Sequence, residues 1–340
     1  MRLYEHQEAW AGEFAHGSQP SVTLRSGLGH MQGFAYYREW LKLRVRALAY
    51  PDLTQRWLAL LNSHPAFSEL VQHAPRLLHK VYRPYLTNTL SREQRLAVLA
   101  SHYQFILRRQ LGPTVVQASR GAVWLGTAAG KTGTDYDLHL RAIDPCEREG
   151  ELVLQLSAGG ALLYSAAFTF STLGGVATVS IGCLQGPKGA DGLDAIRHAT
   201  RELHGIRPKQ LLVTLVRHLG FQLGCTQLWL VSNANRTVLG AMRQGRVRAD
   251  YDQLWTELGA LRQPDGDYVL SCEPLRAPDL ERVQSKKRSE VRKRHDMTAG
   301  LLQCATLRLG VPIAPEHAPQ ARASAMALSS RSSIRSISAS

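Results

Sequence analysis

The residues best suited to binding an anion stand at the start of one predicted helix. Gly205, Arg207 and Lys209 surround Pro208, and proline fits the first helical position because the N–H that it lacks would have no partner there. Cations beside the free backbone N–H groups of a helix start commonly bind phosphate. These residues therefore predict a site for the phosphates of a cofactor, with a turn flanked by solvated cations as the alternative.

Two glycine-rich segments also have features of phosphate-binding sites. The loop 186–192 follows a predicted strand and precedes a predicted helix, so its backbone N–H groups and Lys188 could bind an anion. The segment 126–132 resembles a P-loop, but three residues separate its glycines where that motif has four, and a predicted strand follows it. We predict an anion-binding role for Lys188 and a hairpin turn at 126–132.

Small polar and ionisable residues follow further along the chain. Ser232 and Asn233 come directly after the apolar strand 228–231, and Asp250 and Tyr251 begin a predicted helix. Ligands of α/β sheets usually bind at the carboxyl ends of strands, so Ser232 and Asn233 could orient an acyl group while Asp250 or Tyr251 transfers a proton. The alternatives are a tight turn at Asn233, a helix cap at Asp250 and a core position for Tyr251.

Metal and disulfide chemistry have little support in the sequence. The 13 histidines are scattered without HxxxH or HExxH spacing, so no metal site is predicted. The five cysteines are widely spaced and odd in number, which indicates reduced thiols in a cytoplasmic protein. The N-terminus lacks the apolar core of a secretory signal, and no apolar run reaches the roughly 18 residues of a membrane-spanning helix.

The chain is strongly basic, with a formal net charge of +14. This balance favours anionic partners, although an arginine-rich composition typical of some genomes would produce it as well. A basic helix is predicted over 282–298, with its cations concentrated at 286–294. That helix is either a solvated surface or a surface for phosphate and anionic lipid headgroups. We do not expect nucleic acid as a partner, because no aromatic residues accompany the cations.

Hydrophobic periodicity divides the chain into four regions. Residues 1–33 are weakly patterned and predict an irregular lead-in, whereas 34–113 has a helical repeat interrupted by prolines. The region 114–305 predicts an α/β core that includes the basic helix. The serine-rich stretch 311–340 predicts a disordered tail.

The predicted fold class is α+β, with a helical N-terminal region packed on a mixed, mainly antiparallel sheet. Ser91 and Gln94 have the spacing of a capping box at one helix start. Alternating apolar residues predict about four or five antiparallel strands, and Gly-Gly pairs at 159–160 and 174–175 are typical of hairpin turns. Two helices then separate this meander from the strand 228–231.

Several blocks of sequence resemble a known family. They are, in order, 186–188 with 195–209, then 231–233, then 249–259, and finally 285–294. Their order and spacing resemble the VirK/YbjX family of Gram-negative bacteria over roughly residues 35–305. The resemblance implies a domain of unknown function associated with virulence, survival inside host cells and tolerance of antimicrobial peptides. It supplies no catalytic residue, and we expect a cytoplasmic protein, with the periphery of the inner membrane as an alternative location.

The order of the predicted elements is also similar to that of GNAT-like acetyltransferases, in which a helix start holds the pyrophosphate of an acyl-CoA. The chain departs from that pattern, because residues 204–209 replace the motif Gln/Arg-x-x-Gly-x-Gly/Ala and two helices stand where those enzymes have one. The first functional hypothesis is an acyl-type transferase for envelope or peptide modification, with an acyl-CoA as its candidate cofactor. The alternative is a non-catalytic cytoplasmic accessory protein that binds anionic lipid or a protein partner through the basic helix.

Overall fold

The computed structural model describes residues 21–29, 31–187, 189–238 and 249–311. Lys188 and the predicted disordered tail beyond residue 311 lie outside the described residues. None of the helices in the described part of the chain is long and apolar enough to cross a membrane.

Helices dominate the described residues between 21 and 120, as the periodicity predicts. They are α1 (Gly33–Ala49), α2 (Pro51–Leu61), α3 (Pro65–His73), α4 (Arg92–Arg108) and α5 (Gly112–Arg120), with 3-10 helices at Leu24–Leu28 and Pro75–Tyr82. The predicted capping box is confirmed. The Ser91 hydroxyl accepts from the Gln94 N–H at 3.2 Å, and the Gln94 side chain accepts from the Ser91 N–H at 2.8 Å.

Helix α5 differs from the sequence-based expectation, which began the strands near residue 115. Gly112 and Pro113 do follow the end of α4, but proline is compatible with the first turn of a helix, so a new helix starts there. Its buried residues Val115, Val116 and Ala118 span too few positions to distinguish a helical repeat from an alternating one.

An eight-stranded sheet forms the centre of the molecule. Its strands are β1 (Val123–Ala129), β2 (Asp135–Ala142), β3 (Leu152–Ala158), β4 (Ala161–Leu173), β5 (Val176–Gln185), β6 (Gln227–Leu230), β7 (Leu261–Arg262) and β8 (Tyr268–Ser271). They lie side by side in the order β1-β2-β3-β4-β5-β6-β8-β7. The first five form an antiparallel meander, and β5 and β6 are the parallel pair, so the predicted α+β class and mainly antiparallel sheet are confirmed.

Both Gly-Gly pairs occupy two-residue hairpin turns, as predicted. Gly159 and Gly160 have φ of 55° and 77°, and Gly174 and Gly175 have φ of 55° and 84°. Two consecutive residues with positive φ define the hairpin turn whose twist matches that of the strands, and glycine adopts this conformation without strain.

The described residues after the meander include the α-helices α6 (Gly189–Glu202), α7 (Pro208–Gln222), α8 (Tyr251–Glu257) and α9 (Ser285–Arg308), with a 3-10 helix at Asn233–Asn235. Helices α6 and α7 form the crossover between the parallel strands, which confirms the prediction of two helices at this point. Helix α9 is longer than the predicted basic helix, and one face of its second half packs against β1 and α7.

Strand β4 is buried at every residue from Leu163 to Ser171, so both of its faces are covered. A cluster of buried polar groups joins the helical region to the sheet beside it. The Lys80 ammonium pairs with the Glu151 carboxylate at 2.5 Å, and the Tyr103 hydroxyl donates to the same carboxylate at 2.5 Å. The His102 ring accepts from the Phe170 N–H of β4 at 3.1 Å.

Candidate functional site

The first turn of α7 presents the cations that the sequence predicts. Arg207 is the N-cap residue and Pro208 the first helical residue, while Gly205 before them has a φ of 81° that suits glycine. The Arg207 guanidinium pairs with the Glu257 carboxylate at 3.1 Å. Lys209 is half-buried and forms no hydrogen bond or ion pair with another described residue.

The charges around Lys209 are unevenly compensated. Burial lowers the pKa of its ammonium most, and the neighbouring Arg207 lowers that pKa further, whereas Glu257 and Asp250 raise it. Glu257 is already engaged by Arg207. A half-buried cation in this position is therefore able to accept an anionic partner.

Asn233 links the loop after β6 to the start of α8. Its side-chain amide donates to the Asp250 carboxylate at 2.8 Å, and its side-chain oxygen accepts from the Tyr251 N–H at 2.9 Å. Asp250 also accepts from the Gln253 N–H at 3.2 Å, which makes it the N-cap of α8. That N–H, the Asn233 amide and the charge of Lys209 lower the pKa of Asp250, so its carboxylate is ionised.

Ser232 lies beneath this surface rather than on it. The residue is fully buried, and its hydroxyl has no hydrogen-bond partner among the described residues. Its N–H donates to the carboxylate of Asp267 at 2.8 Å. Asp267 is a buried residue that sequence reasoning missed, and it also accepts from the Trp229 indole at 3.0 Å and the Asn235 amide at 3.0 Å.

Tyr251 packs inward from the start of α8 and reaches β5. Its hydroxyl accepts from the Leu184 N–H and donates to the Leu184 carbonyl, each at 2.6 Å. Burial raises the pKa of this phenol well above its usual value. The Tyr251 hydroxyl therefore fixes β5 beyond the point at which β6 leaves it, and its predicted part in proton transfer stays a prediction.

The predicted site residues meet at the carboxyl end of the parallel pair. The last contact of that pair is the hydrogen bond from the Val231 N–H to the Ile181 carbonyl, after which the two chains separate. Five predicted residues surround the opening turn of α7 and the capped start of α8: Gly205, Arg207, Lys209, Asn233 and Asp250. Ser232 and Tyr251 are buried below them, and Lys188 lies outside the described residues.

Sequence reasoning also missed a group of ionisable side chains at the end of β5. The thiols of Cys146 and Cys183 and the carboxyl of Glu149 lie within 4.8 Å of one another. Burial raises the pKa of the Glu149 carboxyl. The group has no sequence signature, because its members come from segments more than 30 residues apart.

An apolar cavity among the described residues does not contribute to this site. It lies inside the core, where it is lined by Leu111, Val115, Phe168 and Leu219 among others, and none of the predicted site residues borders it. The chemistry available to the predicted residues is therefore that of a surface: a helix start and two cations that can bind an anion.

Comparison with known proteins gives relatives without an assigned activity. The profile of a family described as "Protein of unknown function (DUF535)" matches residues 32–304. YbjX of Escherichia coli K12, an uncharacterized protein, is 30% identical over 267 residues, which cover 75% of this chain and 79% of that one. An uncharacterized protein of Haemophilus influenzae Rd is 23% identical over 277 residues, covering 81% and 90% of the two chains.

One solved structure, a cAMP-binding acyltransferase from Mycobacterium smegmatis, aligns with a TM-score of 0.27 and 12% identity. The alignment covers 58% of this chain and 60% of that one. A score this low supports no conclusion about function.

Proposed function

We propose a function from the geometry of this chain, because the chain belongs to the DUF535 family of proteins of unknown function, together with YbjX. The proposed function is that of an acyl-type transferase that holds a phosphate-containing cofactor such as an acyl-CoA. Membership of this family confirms the resemblance that the sequence analysis identified. The association with virulence and antimicrobial-peptide tolerance stays a prediction.

The observation that supports the proposal is the half-buried Lys209 at the start of α7, which forms no hydrogen bond or ion pair with another described residue. It stands beside Arg207 and follows the turn at Gly205. Pro208 has no N–H and the Gln210 N–H donates to the Arg207 carbonyl at 2.9 Å, so the Lys209 N–H is the backbone donor that this turn offers beside the two cations. A phosphate there would compensate the charge of Lys209 and meet the positive end of the helix dipole. The anion would thus be held mainly by charge-assisted hydrogen bonds.

The surroundings of that turn suit an extended cofactor. Helix α7 begins beside the carboxyl ends of β5 and β6, where ligands of such crossovers usually lie. Asn233 and the ionised Asp250 border the same turn, so a group attached to the phosphates would meet them next. We assign the phosphates to Gly205, Arg207 and Lys209 and the orientation of the acyl group to Asn233. Ser232 is buried beneath this surface and supports the loop through the hydrogen bond from its N–H to Asp267. Asp250 is the proposed proton acceptor.

Calorimetric titration of the folded protein with acetyl-CoA tests this proposal. We expect binding, and we expect the double substitution Arg207→Glu and Lys209→Glu to weaken it at least about tenfold, since one charge-assisted hydrogen bond contributes about 1.5–3 kcal/mol. Pantetheine, which lacks the phosphates, should bind more weakly than acetyl-CoA. The matched control, Lys286→Glu with Lys287→Glu on exposed α9, changes the net charge equally and should leave the affinity unchanged.

Failure of acetyl-CoA to bind the wild-type protein would remove the proposed cofactor. Equal affinity in the wild type and in the Arg207/Lys209 double variant would show that any binding occurs elsewhere on the chain.

A second function, binding to anionic lipid, is favoured by the exposed face of α1. Five large apolar side chains lie on this face at helical spacing, with exposed fractions from 56% to 82%: Phe34, Tyr37, Leu41, Val45 and Leu48. Arg38, Lys42 and Arg44 lie on the same helix. Apolar residues flanked by cations are typical of helices that lie in the interface of an anionic membrane.

Co-sedimentation with vesicles checks this second function. The wild type should bind phosphatidylglycerol vesicles more strongly than phosphatidylcholine vesicles, and the preference should weaken with salt. Leu41→Glu with Leu48→Glu should abolish binding, because charge is placed on the apolar face. The control pair Leu193→Glu and Leu261→Glu changes equally exposed apolar residues elsewhere and should bind as the wild type does.

The same assay separates α1 from the basic helix that the sequence analysis favours. If Lys286→Glu with Lys287→Glu abolishes binding and the α1 variant does not, the lipid surface is on α9. Sedimentation that is independent of both lipid charge and salt would contradict the lipid-binding function altogether.

A further inference from the structure

Three metal-binding side chains converge at the carboxyl end of β5, outside the residues assigned to the anion. The sulfur atoms of Cys146 and Cys183 and a carboxylate oxygen of Glu149 all lie within 4.8 Å of one another. We propose that these three side chains bind a zinc ion and leave its fourth position to a water molecule. This metal content can be measured whether or not the chain binds a CoA ester.

The backbone holds two of the ligands in a single turn. The Glu149 N–H donates to the Cys146 carbonyl at 2.8 Å, which closes a turn between β2 and β3 and sets both side chains on the same loop. Cys146 has a φ of 70°, a conformation uncommon for a residue other than glycine, so the loop maintains it against a local cost. The positions of these ligands are therefore fixed before a metal binds.

Gly182 allows this loop to approach the third ligand. A Cβ atom at that position would lie 2.1 Å from the Glu149 carbonyl oxygen, so no larger residue fits between the loop and β5. Cys183 follows directly on β5. The loop is also anchored from its other side, where the Leu86 N–H donates to the Arg148 carbonyl at 2.8 Å.

The chemistry of the donors selects the metal. Thiolate sulfur is a soft ligand that binds zinc well and disfavours magnesium and calcium, and carboxylate oxygen is also a zinc ligand. Three protein ligands with one open position are typical of zinc sites that bind water or substrate. Cys146 is partly exposed while Cys183 is buried, so solvent can reach the cluster from the side of Cys146.

Glu149 provides an independent indication of a ligand. Only 8% of this residue is exposed, and its Oε1 atom has no hydrogen-bond partner among the described residues. An unsatisfied carboxylate oxygen in a buried place is costly. A bound cation would satisfy it.

The surrounding charges balance the complete site. Two thiolates, a carboxylate and a divalent ion leave one negative charge, and Arg236 lies where it can compensate that charge. Its Nε atom is buried without a described partner, and its guanidinium lies 3.8 Å from the centre of the Tyr251 ring. The Tyr251 hydroxyl is in turn 3.7 Å from the Cys183 sulfur. Groups in these positions orient and stabilise metal ligands in other proteins.

Elemental analysis and cobalt substitution test the proposal. The wild type, purified with reductant and zinc and then dialysed, should contain one zinc ion per chain. Replacement by Co²⁺ should give the near-ultraviolet absorption of a thiolate–cobalt bond. Cys146→Ser should lose both signals, and Glu149→Gln should weaken zinc binding at least about tenfold, as judged by competition with a chromogenic chelator. Cys304→Ser, which removes an exposed cysteine from α9, is the matched control and should behave as the wild type.

Unfolding of these variants can be distinguished from the loss of the zinc site. Cys146→Ser changes a partly exposed side chain, so we expect the variant to fold. The wild type itself should melt at a higher temperature with zinc than with a chelator, because a ligand bound only to the folded state stabilises that state. Wild type that binds no zinc under reducing conditions would overturn the proposal. The same conclusion would follow if Cys146→Ser and Glu149→Gln kept full affinity, or if the thiols were joined as a disulfide in the freshly reduced and dialysed protein.

Discussion

Asp267 is a buried residue that supports the polar loop after β6 from beneath. Its carboxylate accepts hydrogen bonds from three groups of that strand and loop, namely the Ser232 N–H, the Asn235 amide and the Trp229 indole. Only 1% of the residue is exposed, so water cannot replace these bonds. The position of Ser232 beneath the candidate site therefore depends on a side chain more than 30 residues away, whereas the Asn233 N–H donates to the Asp252 carboxylate at 2.9 Å.

We expect Asp267→Ala to lower the free energy of unfolding by about 3 kcal/mol, because three buried donors lose their acceptor. Urea denaturation of the two proteins measures the difference. Asp279→Ala, which removes an exposed carboxylate paired with Arg282, should change the same free energy by less than about 0.5 kcal/mol. A loss below about 1 kcal/mol for Asp267→Ala would show that the three donors find other partners.

At the scale of the elements, local signals predicted the fold well. The capping box at Ser91, the proline at the start of α7 and the two Gly-Gly hairpins each depend on interactions within a few residues, and all four are confirmed. Helix α5 and strand β7 escaped prediction because they are short. The two residues of β7 contain no period, and their strand character comes only from pairing with β8.

The candidate site was predictable only in part from the sequence. Arg207 and Lys209 belong to a helix start and Asn233 to a strand end, so each could be recognised from its neighbours in sequence, and the fold brings them together with Asp250. The Cys146–Glu149–Cys183 cluster could not be recognised, because its assembly depends on a close approach at Gly182. Contacts of that kind depend on the tertiary structure and leave no local pattern.

At the scale of the whole molecule, the helical region and the sheet meet at a buried histidine. His102 of α4 is fully buried and accepts from the Phe170 N–H of β4, and burial lowers the pKa of its ring from 6.5 to about 4. The nearby carboxylate of Glu151 opposes this effect, and the ammonium of Lys80 adds to it. The junction therefore contains a neutral imidazole at neutral pH.

Acidification should weaken this junction. The unfolded chain binds a proton at His102 near pH 6.5 and the folded chain only near pH 4, so the free energy of unfolding falls as pH decreases between these values. The loss from this group amounts to about 3 kcal/mol at most. Urea denaturation at several pH values should show a smaller decline for His102→Asn, whose side-chain oxygen can still accept from Phe170. Equal pH dependence in both proteins would contradict this expectation.

The order of the strands in the sheet has a consequence for the synthesis of the chain. Strands β1 to β5 are neighbours both in sequence and in space, so their pairing closes only short segments and can proceed while the ribosome is still adding residues. Strand β6 must instead pair across a crossover of two helices, and the loop that follows it is complete only after Asp267 has emerged. The nascent protein therefore acquires its scaffold before the surface around Lys209, and helix α9 packs against β1 and α7 later still.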